Sequence, residues 1–186
     1  HRFFLCGYFA SNARVNQPDD DHPKWYCIGD PTEGALVTLA RKAGINTKAV
    51  DENMPELREF PFDSVRKRMS SIRMFNGVPA LFVKGAPESI LAQCSYIEKP
   101  GKSVKKLTSI DKQLALKEND VYAAKAMRNL AYAYRLLNKN EKVEDLKLDE
   151  AETDLIYMGM VSLIDPVRDE VSVAMQAARN AHIKVS

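Results

Sequence analysis

An α+β fold, an antiparallel twisted sheet flanked by helices, is what this sequence predicts, and three observations carry the prediction. Asn76-Gly77 lies between two strand-like runs, Arg68–Phe75 and Val78–Val83, and an Asn-Gly pair in that setting marks a two-residue type I′ hairpin. The apolar run Leu81-Phe82-Val83 leads into KGAPES, Lys84 to Ser89, where a glycine turn and Pro87 open a helical pattern through Glu88, Ile90, Leu91 and Cys94. Leu155–Ile164 has the length of a buried strand and precedes an amphipathic stretch with Val167, Val171, Ala174, Met175 and Ala178 along one side.

From the N-terminus, a short apolar start gives way to a polar connector, Asn12–Lys24, whose acidic triplet Asp19-Asp20-Asp21 reads as surface loop. Trp25–Ile28 is a short strand ending at Gly29. Asp30 then supplies an N-cap, Pro31 fits the first helical position, and Glu33 stands where a capping box places its reciprocal acid. Leu36, Leu39, Ala40 and Ala43 share one face of this helix, and Gly44 ends it. In the hairpin, Phe75 pairs with Val78, which sets Lys84 opposite Met69 and makes Lys67 and Lys84 diagonal neighbours on one face. Pro79 has no N–H to give a ladder, so it demands an unpaired position or a bulge, and a bulge would shift that register by one.

Lys99–Lys106 reads as a basic loop. A helix begins at Thr108 or Ser109 and runs through Leu114 and Leu116, a second covers Asp120–Arg128, and Leu130–Leu137 is a strand. Asn138–Glu152 is charged and expected to be exposed. Asp165-Pro166 opens the last helix, and Ile183-Lys184-Val185 starts a further strand, the edge of a second, parallel α/β unit.

With 186 residues, 45% hydrophobic and 28% charged, the chain has the balance of an ordinary globular protein. A net charge of +2 gives no argument for nucleic acid or a membrane surface as partner. The longest apolar stretch, Leu155–Ile164, falls well short of the ~20 residues a spanning helix needs, so nothing here is expected to be membrane-embedded. Cys6, Cys27 and Cys94 are widely spaced and show no CxxC or Cys/His pattern, which favours free thiols over zinc or disulfides. Gly101-Lys102-Ser103 fails as a phosphate-binding P-loop, because Tyr96 stands where that motif needs its first glycine.

The chemistry gathers around KGAPES. A cation at a strand end beside a helix N-terminus suits an anion, and Gly85 and Ala86 are small enough for a flat ligand to approach the backbone. Arg66-Lys67-Arg68, with Phe62 just upstream, adds further cations and a stacking ring. Rings hold bases and cations hold phosphates, so a phosphate-and-base site is one reading; a solvated strand surface is the other.

Five segments in order, DPTEGAL from Asp30, FPFDSVRKRMS from Phe60, KGAPES from Lys84, AMRNLAYAYR from Ala126 and DPVRDEV from Asp165, resemble the P-type cation-transporting ATPases. Their order and spacing are similar to the nucleotide-binding (N) domain of the calcium-pump-like, type II branch, running into the first βα piece of the phosphorylation (P) domain. The resemblance implies an N domain over residues 1–160 that lacks its first strands, then the hinge and beginning of the P domain over 161–186. It implies ATP as ligand, with Mg²⁺ in the intact pump held by ligands outside this chain. Glu33 would hydrogen-bond the adenine amino group, Phe62 would stack on the base, and Leu130 would lie beneath it. Lys84 would sit deep against the ring, Lys67 nearer the phosphates, Gly85 and Ala86 would form a flat wall, and Arg128 would reach toward the phosphates. Asp165 and Arg168 match the DPxR hinge. Ser64 stands where some calcium pumps carry a phosphate-contacting arginine, and Arg66 or Arg68 is the candidate substitute.

The implied function is to present ATP to the phosphorylated aspartate of the P domain, driving transport of a cation, foremost Ca²⁺. The implied partners are ATP and the P and actuator domains of the same pump, and the implied location is the cytoplasmic side of an integral membrane protein. The DKTGT motif of the phosphorylated aspartate does not occur in this chain, so the chain itself is expected to bind ATP without turning it over. Two readings from other classes compete. An electrostatic interaction module would dock an acidic partner through the Lys/Arg face, with salt sensitivity and no purine selectivity. A phosphotransferase of the haloacid-dehalogenase type would build on the βα start after Asp165, but a DxDxT-type nucleophile loop is lacking there.

Overall fold

Strand β5 (Val78–Gly85) dictates the layering: Leu81, Phe82 and Val83 are all buried, so the strand must be covered on both faces. The fold, described from a computed structural model over residues 1–99, 101, 103–138 and 140–184, does this with helices on each side of one sheet. Side chains alternate across β5, so Leu81 and Val83 enter one core and Phe82 the other. The first core is closed by α4 (Pro87–Gln93) and α5 (Ser109–Ala123) through Ile90, Leu91 and Ala115. The second is closed by α1 (Arg2–Phe9) and α2 (Pro31–Lys42), which contribute Leu5, Cys6, Phe9, Leu36 and Ala40.

Around β5 stand β3 (Glu56–Asp63), β4 (Arg68–Phe75), β6 (Cys94–Lys99), β7 (Ser103–Lys106), β8 (Arg128–Leu136) and β9 (Leu155–Leu163), in the order β3-β4-β5-β8-β9-β6-β7. Every pair is antiparallel except β6 with β9. At one edge β3 breaks register twice; at the other β7 has four residues, all exposed. Beside the sheet, β1 (Arg14–Asn16) and β2 (Tyr26–Ile28) form a ribbon that leads into α2, and α3 (Thr47–Asn53) leads into β3.

The hairpin register is the predicted one. Phe75 pairs with Val78 and Met69 with Lys84, across Asn76 and Gly77 at φ 51° and 79°. Pro79 introduces no bulge. The two-residue turn makes Phe75↔Val78 the hydrogen-bonded pair, so the next pair, Met74↔Pro79, is a non-hydrogen-bonded one and asks Pro79 for no N–H toward β4.

Several expectations are corrected. The connector Asn12–Lys24 contains β1, which finds its hydrogen bonds in β2. In the stretch expected to be a basic loop, Lys99 ends β6 and Ser103–Lys106 form β7, paired from Lys99↔Ser103, because lysine stems tolerate an exposed edge; Pro100 and Lys102 lie outside the described residues. The two helices expected between Thr108 and Arg128 are one, α5, followed by a turn with Ala126 at φ 57°. In the segment expected to be exposed, α6 (Leu148–Ala151) forms and Leu146 and Glu152 are buried. The last helix, α7 (Asp169–Asn180), starts four residues after Asp165, with Asp165 to Arg168 exposed and outside it. No strand is seen at Ile183–Lys184, and Val185 lies outside the described residues.

Asp111 closes a capping box with Thr108 at the start of α5 and also accepts from Lys99 Nζ at 2.7 Å. The Lys99 bond, then those from Thr108, hold its carboxyl down at about 2 from the usual 3.8. A carboxylate lowered on folding adds stability that is complete above its unfolded pKa and lost as pH falls through its folded one. Thermal melts at stepped pH should therefore show Asp111→Asn less stable than wild type near neutrality. The difference should shrink between about pH 4 and about pH 2.

Candidate functional site

β5 ends at Gly85, between β4 and β8, and passes through Ala86 into α4. Beside this end lies a cleft of about 450 Å³, and all eight predicted ligand residues line it: Glu33, Phe62, Lys67, Lys84, Gly85, Ala86, Arg128 and Leu130. Two hollows elsewhere, of about 500 and 630 Å³, hold none of them.

At the cleft floor Lys84 is only 6% exposed, which takes its ammonium out of water. Its Nζ donates to Glu33 Oε1 at 2.7 Å and to Ser11 Oγ at 3.0 Å. Burial pushes the Lys84 pKa below its usual 10.5, and the bond and charge of Glu33 oppose that fall. Glu33 Oε2 accepts from the backbone N–H of Asn12 at 2.7 Å and of Ala13 at 3.2 Å. The capping box expected at α2 is thus half formed. Asp30 Oδ1 accepts from the N–H of Thr32 and of Glu33, but the Glu33 carboxylate serves Lys84 and the loop instead of reaching back. A charge-assisted bond to a buried ammonium outweighs a neutral backbone donor.

The outer wall comes from the β3–β4 connection. Phe60 pairs with Ser70 and Asp63 with Arg68, so Pro61 and Phe62 together face Met69 alone. That bulge turns Phe62 out of the ladder and leaves it 61% exposed over the cleft. Lys67 is not on β4, as the face argument assumed. It is the last residue of the turn, at φ 51°, with its N–H on Asp63 O at 2.7 Å and its carbonyl accepting from Ala86 N at 3.0 Å. It joins Lys84 in the cleft, but from a left-handed turn residue and not by strand alternation. At Gly85 the space of a side chain is already taken: a Cβ would stand 2.5 Å from Lys67 O and from Arg68 Cβ. The absence of a side chain there lets the turn close on β5.

Arg66 and Arg68, the candidate substitutes at the phosphate end, face away from the cleft, and both bond Glu152. Ser64 is exposed. On the opposite wall Arg128 Nη1 donates to Thr32 Oγ1 at 3.0 Å, and Leu130 is half-buried. Asp30, Thr32 and Asn129 also line the cleft and were not predicted for it. Strand alternation sends Asn129 to the face opposite Arg128 and Leu130, and only the strand end lets it border the cleft. Its Nδ2 donates to Asn119 O at 2.9 Å. Asp165 and Arg168 are exposed and lie outside the cleft.

A flat exposed ring, two exposed cations in Lys67 and Arg128, and a buried ammonium suit a ligand with a planar apolar end and an anionic end. Among the described residues no group of three or more His, Cys, Asp or Glu could hold a metal ion, and no helix is long and apolar enough to cross a membrane.

Residues 1–170 match a family model described as P-type ATPase, cytoplasmic domain N. The chain is 40% identical over 157 residues, 84% of its length, to Calcium-transporting ATPase 1 of Lactococcus lactis. It is 33% identical over 186 residues, 98% of its length, to a Calcium-transporting ATPase of Bacillus subtilis. It is also 31% identical over 174 residues, 93% of its length, to the Sodium/potassium exporting P-type ATPase cta3 of Schizosaccharomyces pombe. The chain spans only 17%, 20% and 16% of those three relatives.

Filling the space at Gly85 tests how the wall is held. Gly85→Ala should lower unfolding stability in denaturant by about 1–3 kcal/mol, as overpacking does. Its amide shift changes should centre on Lys67 and Arg68, whose backbone the new methyl would meet.

Proposed function

This chain belongs to the P-type ATPases as their cytoplasmic domain N, and on that premise we propose that its cleft binds ATP and presents it to an aspartate carried elsewhere in a full-length pump. The observation that supports this most is the meeting, in one cleft, of an exposed Phe62 ring with Lys67, Lys84 and Arg128. In this reading the adenine stacks on Phe62 with Leu130 beneath it. Glu33 accepts from the exocyclic amino group while keeping Lys84 in place. Ala86 and the backbone of Gly85 form the flat wall. Lys67 and Arg128 face the phosphates, without help from Arg66 or Arg68.

An open cleft that grips mainly the base harvests limited binding energy, so ATP affinity is about 0.1–1 mM. Mg²⁺ would arrive with the nucleotide and be held by residues of the intact pump. The DKTGT motif is not in this sequence, so the chain on its own binds without hydrolysing. In the full protein the bound ATP would phosphorylate the P domain and drive cation transport, with Ca²⁺ the ion that the names of the Lactococcus and Bacillus relatives favour. The domain would then lie on the cytoplasmic side of the membrane, with the P and actuator domains of the same pump as its partners. We also propose that residues 1–160 are the N domain and that 161–186, with Asp165 and Arg168 as hinge, begin the P domain.

An NMR titration with ATP, AMP and GTP tests the reading on wild type, Phe62→Ala and Lys67→Ala, both substitutions being at exposed positions. Wild type should saturate with an adenine preference, and Phe62→Ala should weaken every adenine nucleotide by about five- to a hundredfold, the worth of one base–aromatic stack. Lys67→Ala should weaken ATP more than AMP. Binding that follows phosphate charge with no preference among bases would sink the reading and favour electrostatic docking.

A further inference from the structure

Three cations stand in succession at the end of the β3–β4 turn, and they divide. Lys67 goes to the cleft, while Arg66 and Arg68 go the other way onto one carboxylate, Glu152. Glu152 is 1% exposed and follows α6, in a stretch of the chain outside all five motifs. Its Oε1 accepts from Arg66 Nη1 at 2.5 Å and Ser70 Oγ at 2.7 Å, and its Oε2 from Arg68 Nε at 2.6 Å. A carboxylate so buried persists only with cationic donors, and guanidinium groups this enclosed need the anion equally.

The bonds continue from there into the turn itself. Arg66 Nη2 donates to the carbonyls of Phe60, at 3.3 Å, and Pro61, at the entry to the bulge that turns Phe62 outward. Arg68 Nη1 donates to Arg66 O at 3.3 Å and to Ser89 Oγ at 2.9 Å, and the Ser89 hydroxyl donates to Arg66 O at 2.6 Å. The backbone on both sides of Lys67 is therefore tied, through two arginines, to a single anion.

We propose that Glu152 is a positioning residue for the nucleotide cleft. By anchoring Arg66 and Arg68 it holds Lys67 in its left-handed conformation and Phe62 on its bulge, without itself touching the ligand. This rests on the ATP reading above. It explains why the two arginines beside Lys67 are unavailable to phosphate: their charge is spent on the scaffold. It also explains why an acid is buried at the end of a charged, mostly exposed connector.

The test measures ATP affinity and amide exchange on the full chain, for wild type, Glu152→Gln, Arg66→Lys, Lys67→Ala and the double variant Glu152→Gln/Lys67→Ala. Glu152→Gln should weaken ATP by about two- to a hundred-and-fiftyfold, the span of coupling within one hydrogen-bonded network, and speed exchange across residues 63–68. The loss should be smaller in the Lys67→Ala background. Arg66→Lys keeps a cation on Glu152 but loses the fork that reaches Phe60 and Pro61. It should weaken ATP and adenosine together, and it carries the test alone if Glu152→Gln does not fold. Wild-type affinity in the folded variants, or effects that simply add to those of Lys67→Ala, would overturn the positioning role and leave the ATP reading standing. No ATP binding by wild type would overturn that reading and this role with it.

Discussion

A buried ammonium cannot stand alone, and much of this domain is arranged around the one at Lys84. Taking it out of water is compensated by Glu33 at 2.7 Å, and breaking such a pair by removing one partner costs about 3–5 kcal/mol. Because Glu33 belongs to the first turn of α2 and also binds the backbone of Asn12 and Ala13, the pair fastens three separate pieces. These are the central strand, the helix packed on it and the chain leaving α1. Ser11 adds a second acceptor from that same chain. The cleft floor is thus the place where one face of the sheet is locked to its covering helices.

The walls are made differently. Phe62 and Lys67 both leave regular geometry, one at a bulge and the other at a positive φ, and each departure turns a side chain where a straight strand would not. Gly85 permits the turn to approach β5 closely enough for Ala86 N to bond Lys67 O. The floor is then placed by the Lys84–Glu33 pair, and the wall by a bulge and a turn that Arg66 and Arg68 tie to Glu152.

Local chemistry made much of this legible in the sequence. Asn76-Gly77 determined the hairpin and its register down to Met69↔Lys84, since a two-residue turn leaves no freedom. Asp30-Pro31 determined where α2 begins. What could not be read was set by distant partners. Glu33 was expected to cap its own helix, and a lysine 51 positions later drew it away. Strand alternation places Lys67 on a face only if β4 begins one residue earlier than it does. The charged stretch before β9 concealed a buried Glu152, because the two arginines that make its burial possible stand in β4 and the turn before it. Period and propensity describe a residue among its neighbours in sequence, and these three answer to neighbours in space.

The two flanks of the sheet carry a consequence for how the chain behaves in company. Any seven-stranded open sheet ends in rows of free N–H and C=O groups on which another chain could build. Here β3 kinks at two register breaks and includes Pro61, which has no amide proton, while β7 is short and bears Lys105 and Lys106. Both rims thus carry features that disfavour pairing with a further strand. The irregularity that swings Phe62 toward the cleft therefore also interrupts one rim, so a single bulge both shapes the binding wall and breaks the row of groups on which a further strand would pair.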